Sequence, residues 1–358
     1  QTIGFEYDTR GRLVTLTVPG GEIGYVYDAT TGNLTNIIAV DGGTLTYAYD
    51  GVLPTSISWA GTIAGSVEYG YDNNFRVTSQ TVNGADALGF QYDNDGLLVQ
   101  VGDMTLAHDP QNGMLTGTSL GNISDIYTYD TFGEATDYEA SYNGSSLYSV
   151  HQELDALGRI TSRTETVTGE THTCTYTYDL IGQLTDVYKD GVLLHHYDYD
   201  DNGNRLSRSG SGGTVNGAYD AQDRLLQYGD ATYEYLANGE LLHKTNGQGT
   251  TSYTYDALGN LTTVILPDGM QIDFVIDGQN RRIGKKMNGV LVQGFIYQDS
   301  LAPVAELDGT GNVIARFVYA TLANVPDYMI KGGITYRIIC DHLGSPRLVV
   351  DGATGQVV

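Results

Sequence analysis

The sequence predicts an all-β protein in which tandem β-hairpins form one large, curled antiparallel sheet. Three observations lead to this fold class. A short motif recurs along the whole chain, the composition is rich in tyrosine and glycine, and no window shows a convincing 3.6-residue apolar period. The motif is aromatic–x–Tyr–Asp–x–x–Gly–x–Leu, and residues 253–261 are a clean copy of it.

The copies of this motif divide into full and degenerate ones. The tyrosine–aspartate pairs of the full copies are Tyr7-Asp8, Tyr27-Asp28, Tyr49-Asp50, Tyr71-Asp72, Tyr92-Asp93, Tyr129-Asp130, Tyr178-Asp179, Tyr199-Asp200, Tyr219-Asp220 and Tyr255-Asp256. The degenerate pairs are His108-Asp109, Leu154-Asp155, Tyr235-Leu236, Ile276-Asp277, Tyr297-Gln298, Tyr319-Ala320 and Cys340-Asp341. Together they make 17 copies, most of them 20 to 22 residues apart, so we interpret residues 1–358 as a single repeat array.

Each copy has the chemistry of a β-hairpin. Tyr253 and Tyr255 are two residues apart, so both side chains leave the same face of a strand. Asp256 is expected to end that strand by accepting hydrogen bonds from backbone N–H groups in the turn. Gly259 supplies the positive φ that closes the reversal, and Leu261 begins the return strand.

Seventeen hairpins predict roughly 34 strands. At about 4.8 Å per strand, such a sheet would be on the order of 160 Å wide. Open twisted sheets rarely exceed about ten strands without curling, so accumulated twist should roll this one into a spiral, a tube or a shell.

Composition and charge restrict the partners. The chain has 28 Tyr, 7 Phe, 1 Trp and 47 Gly, and tyrosine suits a wall that has water on one side. The formal net charge of −25 argues against nucleic acid and against anionic membrane surfaces. No run of about 18 apolar residues is present, so no membrane span is predicted.

Several apparent sites have a simpler structural interpretation. Gly117-Thr118-Ser119-Leu120-Gly121 fits a hydrolase pattern but lacks the strand–elbow–helix context. The stretch 198–203 imitates the start of an EF-hand loop, yet its twelfth position would be Ser209 instead of glutamate. His195 and His196 are adjacent, so on a strand they face opposite sides. We therefore predict no enzyme activity, no catalytic residue, no cofactor and no metal site.

The two cysteines leave two possibilities open. Cys174 and Cys340 are 166 residues apart and have neither metal-site nor redox-motif spacing. They are either two free thiols or one disulfide.

One segment near the C-terminus carries a specific resemblance. Asp341-His342-Leu343-Gly344-Ser345-Pro346-Arg347 resembles the segment that marks the last part of the Rhs core. The repeats resemble the YD repeats of Rhs proteins, teneurins and the C component of insecticidal toxin complexes, over essentially the whole chain. The resemblance implies a hollow β-shell around a C-terminal cargo, commonly a toxin in bacterial members. It also implies a plug region beyond the core that cleaves the cargo free with aspartates.

The resemblance and the chain's ends set the functional expectations. Gln1 lies directly before a repeat and Val358 just after one, so we expect a piece of a longer protein that lacks the plug, the autoprotease region and the cargo. We expect a structural wall of a secreted or cell-surface protein of bacterial type that encapsulates its own C-terminal effector or toxin. The alternative is an extracellular adhesive or structural repeat protein that binds glycans or cell surfaces, or self-associates through open sheet edges.

Overall fold

The computed structural model describes residues 2–358, and in these residues the chain folds into β-strands joined by tight turns. The described residues contain 34 strands, which confirms the predicted all-β class and the predicted strand number. Within the same residues, no helix is both long and apolar enough to cross a bilayer.

The strands follow one another at short intervals. The first seventeen are β1 (Gly4–Tyr7), β2 (Leu13–Val18), β3 (Gly21–Tyr27), β4 (Leu34–Ile38), β5 (Thr44–Asp50), β6 (Leu53–Ala60), β7 (Gly65–Tyr71), β8 (Val77–Val82), β9 (Ala85–Tyr92), β10 (Leu98–Val101), β11 (Met104–His108), β12 (Leu115–Leu120), β13 (Ile123–Tyr129), β14 (Ala135–Tyr142), β15 (Ser145–Leu154), β16 (Ile160–Val167) and β17 (Glu170–Tyr178). The remaining seventeen are β18 (Leu184–Lys189), β19 (Val192–Tyr199), β20 (Arg205–Gly210), β21 (Gly213–Tyr219), β22 (Leu225–Tyr228), β23 (Ala231–Tyr235), β24 (Leu241–Asn246), β25 (Gly249–Tyr255), β26 (Leu261–Ile265), β27 (Gln271–Ile276), β28 (Arg282–Met287), β29 (Val290–Tyr297), β30 (Pro303–Asp308), β31 (Val313–Val318), β32 (Tyr328–Lys331), β33 (Ile334–Cys340) and β34 (Pro346–Asp351).

The chain divides into two compact units. The first unit comprises Gln1–Asp103 and Ser252–Ile338, and the second comprises Met104–Thr251 and Ile339–Val358. In both units, strands that follow each other in the sequence pair antiparallel. Each unit therefore consists of hairpins laid side by side.

A β-bulge recurs at the second tyrosine of the motif. In the β25–β26 hairpin, Thr254 pairs with Thr263 and Tyr255 pairs with Leu261, so Thr262 is one residue too many on the return strand. The same shift occurs at Tyr7, Tyr27, Tyr49, Tyr71, Tyr129, Tyr178, Tyr199, Tyr219, Tyr235 and Tyr297. Because a bulge increases local right-handed twist, each hairpin adds twist at the same place in the repeat.

The extra residue of the bulge is often a threonine, and its hydroxyl bonds to the neighbouring strand. The Oγ1 of Thr262 donates to the carbonyl oxygen of Thr254 at 3.0 Å. Equivalent bonds of 3.1 Å run from Thr35 to Val26 and from Thr161 to Glu153. A bulge interrupts the ladder locally, and the threonine side chain provides a donor there.

The core of the first unit joins two distant parts of the sequence. Its buried residues include Leu45, Val67 and Val82 from the N-terminal part and Ile296 and Leu307 from the later part. Strands β7 and β29 approach each other inside this core. The two segments of the first unit therefore share one apolar interior.

A buried ion pair lies at this junction. Asp277 and Arg281 belong to a degenerate motif copy, and their side chains are only 4% and 3% exposed. The Nη2 of Arg281 donates to Oδ2 of Asp277 at 2.6 Å, and the indole N–H of Trp59 donates to the same oxygen at 3.2 Å. The Arg281 guanidinium lies 5.1 Å from the centre of the Trp59 ring, where a cation–π attraction adds to the contact.

The second unit has its own core, to which the C-terminal strand contributes. Tyr138, Tyr148 and Val150 pack with Leu348 and Val350 of β34. The hydroxyl of Tyr142 donates to the carbonyl oxygen of Ala353 at 2.6 Å. The last strand thus packs on hairpins that precede it by about 200 residues.

We predict that Asp277→Ala destabilises the protein by about 3–5 kcal/mol, because removing one partner leaves the buried Arg281 charge uncompensated. The free energy of unfolding, measured by urea titration followed by circular dichroism, checks this value.

Asp155→Ala is the matched control. Asp155 pairs with Arg159 in the same turn geometry, but their side chains are 23% and 31% exposed. We expect Asp155→Ala to destabilise the protein much less than Asp277→Ala, because solvent screens the attraction in a partly exposed pair. Equal losses in the two variants would contradict the role assigned to burial at Asp277.

Candidate functional site

The turn carboxylate is the most regular feature of the structure. In the clean copy, Oδ1 of Asp256 accepts the backbone N–H groups of Leu258 and Asn260, both at 2.9 Å. Oδ2 accepts the side-chain amide of Asn260 at 2.8 Å. Gly259 has φ of +85°, as the sequence predicts. The predicted turn chemistry is confirmed at this copy.

The same pair of N–H bonds, from the second and fourth residues after the aspartate, recurs along the chain. It occurs at Asp8, Asp72, Asp93, Asp130, Asp155, Asp179, Asp200, Asp220, Asp277, Asp308 and Asp341. Asp28 bonds to Thr30 and Thr31 in a turn one residue longer. Asp50 differs, because it lies in β5 and pairs with Leu53.

The fourth residue after the turn aspartate links the turn to the next hairpin. Arg159 donates to Oδ2 of Asp155 through Nε and Nη2, both at 2.7 Å. Its guanidinium lies 4.6 Å from the centre of the Tyr178 ring in the following hairpin. Arg12 and Arg76 are placed over the next motif tyrosine in the same way.

The motif tyrosine bonds back to the preceding hairpin, and we call this bond the tyrosine bridge. The hydroxyl of Tyr178 donates to the carbonyl oxygen of Ile160 at 2.7 Å, and Tyr199 does the same to Leu184 at 2.8 Å. Further bridges join Tyr27 to Leu13, Tyr49 to Leu34, Tyr71 to Pro54, Tyr92 to Val77, Tyr129 to Leu115, Tyr219 to Arg205, Tyr235 to Leu225, Tyr297 to Arg282 and Tyr319 to Pro303. Burial raises the pKa of Tyr178, so the phenol stays protonated and can donate at neutral pH.

Two degenerate copies that lack the motif aspartate still form a turn. At Leu236, the backbone N–H bonds to the Glu240 carbonyl and the carbonyl accepts from Gly239. At Gln298, the neighbouring Asp299 accepts the N–H groups of Leu301 and Ala302 instead. The turn thus survives loss of the aspartate.

Sequence reasoning missed some turn carboxylates because they lie between or after the copies of the motif, outside its 20- to 22-residue spacing. Asp308 and Asp351 follow no tyrosine, yet Asp308 bonds Thr310 and Asn312, and Asp351 bonds Ala353 and Thr354. The Asp-x-x-Gly spacing alone would have found the Asp308 turn, and the spacing of Asp28 and Gly32, one residue longer, would have found the Asp351 turn.

The Rhs-like segment forms a turn that continues into an ion-pair network in the second unit. Asp341 accepts the N–H groups of Leu343 and Ser345, Gly344 has φ of +79°, and Pro346 begins β34. Leu343 is exposed.

Glu165 is the centre of this network. It accepts hydrogen bonds from Arg347 at 2.7 Å, Tyr148 at 2.8 Å and Arg163 at 2.9 Å. Burial, and then the nearby Arg163 charge, lower the pKa of His342. The segment therefore fastens the C-terminal strand to β16.

The motifs that imitate other sites have structural roles. Ser119 lies within β12, so the G-x-S-x-G pattern forms no elbow. His196 bonds to Asp186 at 2.7 Å and to Asp198 at 3.3 Å, while the His195 ring lies 5.9 Å from that of Tyr197. No group of three potential metal-binding side chains occurs in residues 2–358. In the same residues, no disulfide joins the two cysteines.

A family model described as Teneurin YD-shell matches residues 1–358. Among curated proteins, Teneurin-4 of Mus musculus is 25% identical over 298 residues, and Teneurin-3 of Mus musculus is 27% identical over 292 residues. These matches cover 80% and 77% of this chain but only 10% of each teneurin.

Solved structures share the fold. A crystal structure of TcdB2-TccC3 without hypervariable C-terminal region aligns with a TM-score of 0.61 at 12% identity. The Photorhabdus luminescens Tc holotoxin pore gives the same TM-score and identity. Each alignment covers 99% of this chain and 27% of the solved chain. The chain thus spans about a quarter of these solved chains.

We predict that Tyr178→Phe lowers the free energy of unfolding by about 1 kcal/mol, because the Ile160 carbonyl loses its hydroxyl donor. Urea titration measures the loss. Tyr7→Phe is the control, since Tyr7 is 60% exposed and starts the array, and it should change stability by less than about 0.5 kcal/mol. A Tyr178→Phe variant as stable as the wild type would refute the tyrosine bridge.

We also predict that acid destabilises the protein between about pH 4 and pH 2. Hydrogen bonds from the Thr310 hydroxyl and then the Asn312 backbone lower the pKa of Asp308 to about 2, and Arg159 lowers that of Asp155. A carboxylate with a depressed folded pKa stabilises the fold fully above its unfolded pKa of about 3.9, and that contribution is lost as pH falls through the folded pKa.

Thermal unfolding across this range tests the acid prediction. The Tm should fall as pH decreases, and Asp308→Asn should show a smaller fall, because one titrating carboxylate is gone. A Tm that is the same at pH 2.5 and pH 5 would contradict the role of the turn carboxylates.

Proposed function

Because the chain belongs to the teneurin YD-shell family, we propose that it is a structural wall whose function is to enclose. It would form part of a shell around the C-terminal effector or toxin of a longer, secreted or cell-surface protein. In this proposal the two units are parts of one repeat array, and the chain performs no catalysis itself.

The tyrosine bridge is the observation that carries this proposal. In eleven hairpins it joins the hairpin to the one before it through the same bond, as in Tyr178 to Ile160 and Tyr199 to Leu184. A wall requires such uniform nearest-neighbour contacts along its length. The motif aspartates stabilise the turns, and the motif tyrosines join neighbouring hairpins. The abundance of both residue types is therefore explained by the structure of the sheet.

The comparison with a TcdB2-TccC3 structure supports the cargo part of the proposal. Its description names a hypervariable C-terminal region, and its fold matches 99% of this chain. A constant shell followed by a variable segment is the organisation that an enclosed effector would require.

The second candidate is an adhesive or structural role outside the cell without cargo, in which the array binds glycans or cell surfaces. The sequence identity of 25% to 27% with teneurins favours it. The two candidates differ in what the natural full-length product contains after the repeat array.

Intact mass of the natural full-length product, purified natively, tests the proposal. We expect native mass spectrometry to show a complex in which a separate C-terminal fragment is retained. Denaturation should release that fragment. A single uncut species that ends near residue 358 would overturn the cargo proposal and leave the adhesive candidate.

A further inference from the structure

Three successive turns of the second unit expose large apolar side chains. They lie between β13 and β14, between β15 and β16 and between β17 and β18. Phe132 is 90% exposed, Leu157 76% and Ile181 78%, and Leu180 is fully exposed. We call these four residues the apolar turn row.

The turns of this row lie side by side at one edge of the paired strands. Strands β13 to β18 pair in sequence order, so alternate connections fall on the same edge. Nη1 of Arg159 lies 3.6 Å from where a Cβ on Gly182 would sit, which places the second and third turns in contact. Neighbouring turns are two strands apart, or about 10 Å.

This position of the turn is also apolar at Val52, Leu258 and Leu343, but the three hairpins from β13 to β18 have it apolar in succession. Hairpins that follow on the same edge have Asn202, Gln222 and Asn238 there. Elsewhere in the protein, the identical tetrapeptide Asp-Ala-Leu-Gly at 256–259 places Leu258 against the core of the first unit. The same turn sequence thus has a covered leucine in one hairpin and an exposed leucine, Leu157, in another. A contiguous row of exposed apolar side chains indicates an interaction surface.

Charge around the row favours a cationic partner over a second copy of the chain. The four turns on this edge, at residues 130–134, 155–159, 179–183 and 200–204, contain six carboxylates, and their one cation, Arg159, is paired with Asp155 at 2.7 Å. Glu134 and Asp201 are exposed beside the row. A second copy would bring its own net charge of −25 to this edge.

The spacing of the row favours a helix in that partner. Seven residues of an α-helix rise about 10.5 Å, so apolar residues seven apart would meet successive turns. In an extended strand, residues three apart cover a similar distance but point to opposite faces. We propose that the apolar turn row is a docking surface for a cationic amphipathic helix of another polypeptide.

Fluorescence anisotropy with a synthetic helix tests this proposal on the full chain. The probe is a labelled, amidated 21-residue peptide with leucine at its third, tenth and seventeenth positions and with alanine and lysine elsewhere. We expect binding that weakens with added salt. A peptide of the same composition with scrambled leucines, and one with glutamate for lysine, should each bind at least tenfold more weakly.

The protein variants locate the binding. The quadruple variant F132N/L157N/L180N/I181N should raise the Kd for the probe at least tenfold. The matched control V52N/V192N/V290N also replaces exposed apolar residues, outside the row, and should change Kd less than twofold. Thermal melts check that each variant is folded. If the quadruple variant unfolds, L157N alone takes its place and should raise the Kd about threefold.

Three outcomes would overturn the proposal. One is an unchanged Kd in the row variants, and another is equal binding of the glutamate peptide. The third is wild-type dimerisation in analytical ultracentrifugation that is lost in the quadruple variant, because a second copy would then occupy the row.

Discussion

The hydrogen-bonded turn that follows the motif tyrosine is the constraint on which the rest of the structure depends, and the aspartate is its usual but not its indispensable acceptor. At Asp256, one carboxylate oxygen accepts hydrogen bonds from two backbone N–H groups. These bonds close a turn that requires positive φ at Gly259. The turn fixes the register of the hairpin, and the register produces the bulge at Tyr255. Because the bulge recurs at the same motif position in other hairpins, local hydrogen bonding determines the twist that accumulates along the strands.

The tyrosine bridge converts these local turns into a continuous structure. A hairpin alone is marginal in water, so each one depends on its neighbour. The Tyr178 hydroxyl contributes only about 1 kcal/mol, and an exposed pair such as Asp155–Arg159 contributes less. Stability comes from repetition of the same modest contact and from the buried cores, which is why no single motif residue dominates.

Most of the repeat could be predicted from sequence because its causes lie within a few residues. The spacing of Tyr255, Asp256 and Gly259 is enough to predict the strand end and the turn. The bulge was missed because alternation of side chains does not reveal one extra residue. The contacts of Glu165 with Arg347 and of Trp59 with Asp277 join segments 182 and 218 residues apart, so no local pattern indicates them.

The two Asp-Ala-Leu-Gly turns show where local prediction ends. In both turns the carboxylate accepts hydrogen bonds from the N–H groups of the second and fourth residues after the aspartate. Leu258 nevertheless packs against a core, whereas Leu157 is exposed. The tetrapeptide determines the conformation of the turn, but the surroundings determine what its leucine contacts. A repeat that builds identical turns can therefore differ in function from hairpin to hairpin, because the same two residues after the aspartate are covered in one turn and exposed in another.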